Sequence, residues 1–290
     1  MTIICTGANG QLGRECVARG ARGLGRGELD LGAGSEILAA LKPLRPSVII
    51  NCAAYTAVDR AETDADAAMR SNRDGVAQLA GACARLRIPL IHFSTDYVFD
   101  GTKSGAYTED DTAAPTGVYG QSKWEGEQAL RAHWPRHLLL RVSWVFGQHG
   151  GNFVKTILRL ARERPELRVI ADQHGCPTHA GALADAAMLL ARRAASGEEL
   201  PWGTYHYCGT PVTTWHGFAS QIVKAAHELG MIERVPAVHA ITAAEYPLPA
   251  KRPANSVLDM SRTRSLLGIE AVDWRSGLSD VLHSLRARTG

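Results

Sequence analysis

A tyrosine and a lysine stand four residues apart in Tyr119-Gly120-Gln121-Ser122-Lys123. On a helix they share one face, a single turn from each other. An ammonium beside a phenol favours the phenolate and lowers its pKa, which makes tyrosine a usable acid or base near neutral pH. Upstream, Pro89-Leu90-Ile91-His92-Phe93 reads as a short buried strand, and Ser94-Thr95-Asp96 stands where that strand leaves its sheet. A Thr95 hydroxyl there completes a donor set around a reacting carbonyl oxygen. Taken alone, the pair fits an exposed helical Tyr and Lys better. What decides is whether the rest of the chain builds a cleft at this point.

The N-terminal stretch argues that it does. Thr2-Ile3-Ile4-Cys5-Thr6 is a short apolar strand, followed by Gly7-Ala8-Asn9-Gly10-Gln11-Leu12-Gly13 and a helical pattern through Cys16 and Val17. Glycines at that spacing let the backbone approach a pyrophosphate, and the helix N-terminus offers free N–H groups and a positive dipole end. Alternation continues through a weak strand near Leu24, a helix capped by Ser35 and carrying Ile37, Leu38 and Leu41, and the strand Val48-Ile49-Ile50-Asn51-Cys52-Ala53-Ala54. A long helix then starts at Asp64 or Asp66 and runs through Cys83. Strands alternating with helices predict an α/β fold, a Rossmann-type doubly wound parallel sheet that binds its ligands at the carboxyl ends of the strands. Small residues at Ala53 and Ala54 admit a flat ligand. After the second strand the near position holds Arg26 rather than an acid, which suits a 2′-phosphate and points to NADPH, with NADH still open; Asp30 follows four residues on.

The chain has 290 residues, 32 Lys and Arg against 29 Asp and Glu, and a formal charge of +3. Such balance excludes a nucleic-acid arm. No apolar run approaches a membrane span, and the first residues pass straight into a strand without a signal peptide. The six cysteines are scattered with no Cys-x-x-Cys pair, which fits a reduced, cytoplasmic protein. Cys5, Cys52 and Cys83 read as small buried hydrophobes. His174 and His179 flank Gly175-Cys176-Pro177, but no third ligand at sensible spacing accompanies them, so no metal site is expected.

Gly7-x-x-Gly10-x-x-Gly13, Asn51 to Thr56, Ser94 to Phe99 and Tyr119 to Lys123 together resemble the extended short-chain dehydrogenase/reductase family. Arg141 to Phe146, Asp172 to Thr178 and Arg252-Pro253-Ala254-Asn255-Ser256 extend the likeness over nearly the whole chain, to the branch that acts on dTDP-linked sugars. The resemblance implies an NADPH- or NADH-dependent reduction of the C4 ketone of a dTDP-linked 6-deoxyhexulose. It implies Tyr119 as proton donor, Lys123 as the group that lowers its pKa and holds the nicotinamide ribose, and Thr95 with Asp96 at the C4 oxygen. Gln11, Leu12, Asp30, Leu31, Ala54, Tyr55 and Thr56 fall at positions the family uses around the cofactor. Some relatives hold Mg²⁺ between subunits, and no motif here transfers or rules out that ion. A monomer and a homodimer are both open.

Residues 1–146 are expected to form the dinucleotide-binding domain and 147–290 a smaller α/β substrate domain, with 203–208 rejoining the sheet. Trp144 suits stacking on a sugar or base, or a place in a core. Asn152 and Gln173 offer polar groups to the nucleotide sugar, or cap turns. Arg168 and Arg252 are candidates for the diphosphate, which a guanidinium fork suits, and Arg252 is the better one because it lies in the family-like Arg252–Ser256 run. Two other readings compete. A 4,6-dehydratase typically carries Glu directly after the Thr-Asp pair, where this chain has Tyr97, and a 4-epimerase would retain its NAD. A non-catalytic NADP-binding regulatory subunit of the methionine adenosyltransferase type shares the fold, but has no evident use for Thr95, Tyr119 and Lys123 together.

Overall fold

Residues 1–33 and 36–288 are described by the computed structural model, so the expected cap at Ser35 lies outside the described residues. The first run of elements is β1 (Ile3–Thr6), α1 (Gln11–Ala18), β2 (Arg22–Leu24), α2 (Ile37–Leu41), β3 (Val48–Asn51), α3 (Val58–Ala61), α4 (Ala65–Met69), α5 (Gly75–Leu86), β4 (Leu90–Thr95), α6 (Val118–His133) and β5 (His137–Val142). The second run is β6 (Val145–Phe146), α7 (Phe153–Glu163), β7 (Glu166–Ile170), β8 (His174–Gly175), β9 (Thr178–His179), α8 (Ala180–Ala195), β10 (Gly203–Tyr207), β11 (Thr213–Thr214), α9 (Trp215–Glu228), β12 (Ala237–Ile241) and α10 (Trp274–Arg286).

Six strands pair in the order β10, β5, β4, β3, β1, β2, and every pairing in this sheet is parallel. Strands β1, β3, β4 and β5 are buried along their whole length, as continuous apolar runs covered on both faces must be. Their side chains divide by the two-residue period. Ile3, Cys5, Val48 and Ile50 pack on the side of the sheet covered by α8, whereas Ile4 and Ile49 pack on the side covered by α2 and α5. The order reverses beside β1, so the crevice past β1 and β3 is the switch point where such sheets bind ligands.

A second core gathers α7, α9 and α10 around Phe146, Phe218 and Trp274. The two cores do not part the chain at one point. Helix α8 and strand β10, both within 147–290, pack in the sheet's core, and β10 lies beside β5. The expected long helix from Asp64 is also interrupted. Asp64 caps α4, but Arg70–Asp74 opens into a wider π turn before α5. Asn72 sits in that turn. Its amide accepts from Tyr55 N at 2.9 Å and donates to Tyr55 O at 3.0 Å and Ser122 Oγ at 2.9 Å. The widened turn aims Asn72 between the loop after β3 and the helix carrying Tyr119 and Lys123, a placement π turns often serve.

Candidate active site

Gly7 turns the chain off β1 with φ +64, a backbone angle that side chains other than glycine rarely take. At Gly13 a Cβ would lie 2.2 Å from Gly7 O, so only glycine lets α1 start this close beneath the turn. Gly10 caps α1 with no side chain accepting from the helix and no acid in its first turn. The first N–H groups of α1 thus have no side-chain cap among the described residues, which fits a pyrophosphate. Gly10, Gln11, Leu12, Ala53, Ala54 and Thr56 line one side of a cavity of about 550 Å³. Thr95, Asp96, Tyr119 and Lys123 line it as well, together with Trp144 and Asn152. An adjoining cavity of about 350 Å³ is lined by Gly7, Asn9, Arg26, Asp30, Leu31 and Tyr55, and shares Gly10, Ala53, Ala54 and Thr56 with the first. Arg26 is exposed there and pairs with Asp30 at 3.3 Å.

The reactive end is built by β4 and α6. Gly120 lets α6 press against the turn after β4, since a Cβ there would stand 2.2 Å from Tyr97 O. The Tyr119 ring meets Tyr97 edge-on, centroids 5.6 Å apart. Thr95 Oγ1 accepts from Tyr97 N at 3.2 Å and donates to Asp96 Oδ1 at 2.9 Å. Lys123 Nζ donates to Phe93 O at 2.7 Å and is buried. Burial lowers its pKa to about 8 against the pull of Glu127. Tyr119 departs from the sequence expectation. Burial raises its phenol to about 12, and the neighbouring Thr95 hydroxyl only partly offsets that. Here the Lys123 ammonium is engaged with a backbone carbonyl, and the phenol keeps its proton.

Some substrate candidates sit differently from one another. Trp144 takes a positive φ of 48 and stacks on Trp215 with centroids 3.5 Å apart. Asn152 caps α7, accepting from Lys155 N, and its Nδ2 donates to Gln11 Oε1 at 3.0 Å and Gly147 O at 2.7 Å. That amide ties the back half of the chain to the glycine turn. Arg252 clasps Asp59, donating from Nη1 at 2.9 Å and Nη2 at 2.7 Å, which holds the Asp59 carboxyl below its usual range. Gln173 is buried and does not line the main cavity.

Residues 1–287 match the family described as RmlD substrate binding domain. The chain belongs to this family. The resemblance read from the motifs is thereby borne out, and the parallel six-stranded sheet bears out the α/β fold. A dTDP-4-dehydrorhamnose reductase of Aggregatibacter actinomycetemcomitans is 44% identical over 286 residues, covering 96% of this chain and 97% of that protein. The crystal structure of a dTDP-4-dehydrorhamnose reductase from Clostridium acetobutylicum superposes with a TM-score of 0.90 at 33% identity, covering 99% and 100% of the two chains. One from Bacillus anthracis, solved in complex with NADP, superposes with a TM-score of 0.88 at 33% identity, covering 98% and 99%. The family fold is thus carried through both cores of this chain.

Asn51, at the head of one motif, and His92, which lies in none of them, hold the family's cleft in shape. Asn51 Oδ1 accepts from Thr6 Oγ1 at 2.6 Å and from Ala53 N at 3.1 Å, which leaves its Nδ2 to donate to His92 Nδ1 at 2.9 Å. His92 is fully buried, and burial followed by the nearby Lys123 charge holds its imidazole neutral. The signal was present as polar residues inside the apolar runs Val48–Asn51 and 90–93. Asp96 is buried too, and burial raises its carboxyl to about 6 while the Ser256 and Thr95 hydroxyls pull it down. An unfolded aspartate titrates near about 4. The stability contributed by the Asp96 proton is therefore full below about 4 and lost as pH rises through about 6. Asp96→Asn removes this titration, so its Tm is expected to gain on that of the native chain between about pH 4 and 7, by a few degrees. Thermal unfolding of both across that window checks it, and a constant Tm difference would refute it.

Proposed function

We propose that the chain reduces the C4 ketone of dTDP-4-dehydro-L-rhamnose (dTDP-6-deoxy-L-lyxo-4-hexulose) to dTDP-L-rhamnose with NADPH. The observation that carries this reading is the cavity itself, which has Thr95, Tyr119 and Lys123 at one end and the uncapped start of α1 in its wall. The dTDP-4-dehydrorhamnose reductases that match nearly end to end support the substrate, and the NADP in the Bacillus anthracis structure supports the cofactor.

Bound NADPH supplies the hydride to C4. The Gly7–Gly13 turn, Ala53 to Thr56, Asp30 and Leu31 hold the dinucleotide, with Arg26 on the 2′-phosphate and Lys123 on the nicotinamide ribose. Tyr119 gives its proton to the C4 oxygen as charge develops there, and the Thr95 hydroxyl holds that oxygen in line. A phenol that keeps its proton at rest suits a donor. The Lys123 ammonium stabilises the phenolate left behind, the charged form that an adjacent cation favours. Trp144, Asn152 and Asp96 face the sugar nucleotide; Arg252 and Gln173, which do not line the main cavity, remain candidates for it. We place the dinucleotide with the sheet's core and the nucleotide sugar with the second core. All six cysteines are free thiols, which suits a reducing cytoplasm. No helix of the described residues is long and apolar enough to cross a membrane.

The reading is tested by following nicotinamide oxidation with dTDP-6-deoxy-L-lyxo-4-hexulose, giving NADPH and NADH in parallel. Turnover faster with NADPH is expected. Arg26→Ala should then raise the KM for NADPH by about ten-fold, the loss of one charged hydrogen bond, and leave that for NADH nearly unchanged. Absence of turnover with either cofactor, despite measured NADPH binding, would sink the assignment.

A further inference from the structure

Three cysteines far apart in sequence meet under the glycine turn. Cys5 comes from β1, Cys16 from α1, and Cys52 from the first residue after β3. Cys5 and Cys52 read singly as small hydrophobes, yet the three sulfurs all lie within 4.8 Å of one another. Cys5 Sγ and Cys52 Sγ are 3.6 Å apart. Thiolates bound at about 2.3 Å around one zinc-like ion sit about 3.8–4.0 Å from each other, so the trio needs only sub-ångström adjustment to close on a cation. A disulfide would use two of these sulfurs and give the third no role, whereas a soft d¹⁰ ion uses all three.

Access is one-sided. Cys5 and Cys16 are fully buried, while Cys52 is only partly so. Cys52 lines both cavities of the cleft, beside Gly10, Ala53 and Ala54. The Gly7 turn packs directly on it, since a Cβ at Gly7 would stand 2.7 Å from the Cys52 carbonyl carbon. Cys52 thus stands between the trio and the groove that the glycine turn offers to a dinucleotide.

We propose that Cys5, Cys16 and Cys52 form a three-thiolate site for a thiophilic d¹⁰ cation of the Zn²⁺, Cd²⁺ or Cu⁺ class, loaded through the dinucleotide cleft and closed off by a bound dinucleotide. On binding, S–H bonds break, S–metal bonds form, and the protons leave to solvent with no change of oxidation state. The binding half of the inference stands by itself, and the gating half rests on the cofactor reading above.

The test is titration of the reduced, cofactor-free protein with Cd²⁺, following the sulfur-to-cadmium charge-transfer band in the ultraviolet. A band saturating at one equivalent is expected, lost in Cys5→Ala and Cys16→Ala and kept in Cys208→Ala, a variant of the separate buried pair Cys176 and Cys208. Where Cys16→Ala does not fold, Cys52→Ala carries the same comparison. A band that survives the trio variants, or disappears with Cys208, overturns the site. NADPH at about ten times its Kd should slow cadmium uptake about ten-fold, in proportion to the free fraction. An unchanged rate with NADPH shown to be bound overturns the gating. Failure of NADPH to bind at all would instead count against the cofactor assignment and leave the band to decide the site.

Discussion

Tyr119→Phe is expected to lower kcat by about 10²–10⁴-fold while NADPH affinity changes far less. The substitution removes one oxygen and little else. The aromatic ring remains to meet Tyr97 edge-on, and α6 keeps its close seat against Tyr97 O through Gly120. The variant should therefore fold normally, which isolates the proton transfer. Its loss appears in kcat because the donated proton matters only as charge builds on the C4 oxygen. NADPH titration by fluorescence, with steady-state oxidation using the 4-keto sugar nucleotide, reads both quantities. A kcat within about ten-fold of the native chain, worth no more than about 1.4 kcal/mol of barrier, would show that another group supplies the proton. The Thr95 hydroxyl is the nearest rival, though in the resting site its proton points to Asp96 Oδ1.

Much of this site is legible in the sequence, because it depends on local rules. Glycines before a helix, a hydroxyl at a strand end and a Tyr-Lys pair one turn apart each declare their geometry over a few residues. What escaped depended on register between distant strands. Asn51 and His92 are joined because β3 and β4 pair with Asn51 opposite His92. Cys5 and Cys52 meet because β1 and β3 run in parallel with Thr6 opposite Asn51. Trp215 meets Trp144 only through the folding of the second core against the cleft. The break in the helix after α4 was hidden for a related reason. Arg70 to Asp74 have unremarkable helical composition, and the turn widens where Asn72 ties the Tyr55 loop to α6.

Glu127→Ala is expected to destabilise the chain by about 3–5 kcal/mol, roughly 10 °C in Tm for a domain of this size. Glu127 is fully buried on α6, one turn beyond Lys123. Its Oε1 accepts from Arg141 Nε at 3.0 Å, and its Oε2 accepts from Arg141 Nη2 at 2.8 Å and Arg131 Nη2 at 2.7 Å. Arg141 belongs to the buried strand β5 and is itself 2% exposed. Removing the carboxylate strands a guanidinium in the core against the Phe99 and Trp124 ring faces. The double variant Glu127→Leu/Arg141→Leu removes both charges and should recover much of the loss, because the cost lies in the orphaned ion rather than in the missing pair. The pair also bears on chemistry. Glu127 pulls the Lys123 pKa upward against burial, so its loss lets that ammonium deprotonate at lower pH. The alkaline limb of kcat in Glu127→Ala, measured where the variant is still folded, should therefore move to lower pH than in the native chain. A Tm drop without that movement would confine Glu127 to holding α6 against β5, and movement of both would tie the support of the helix to the charge of Lys123.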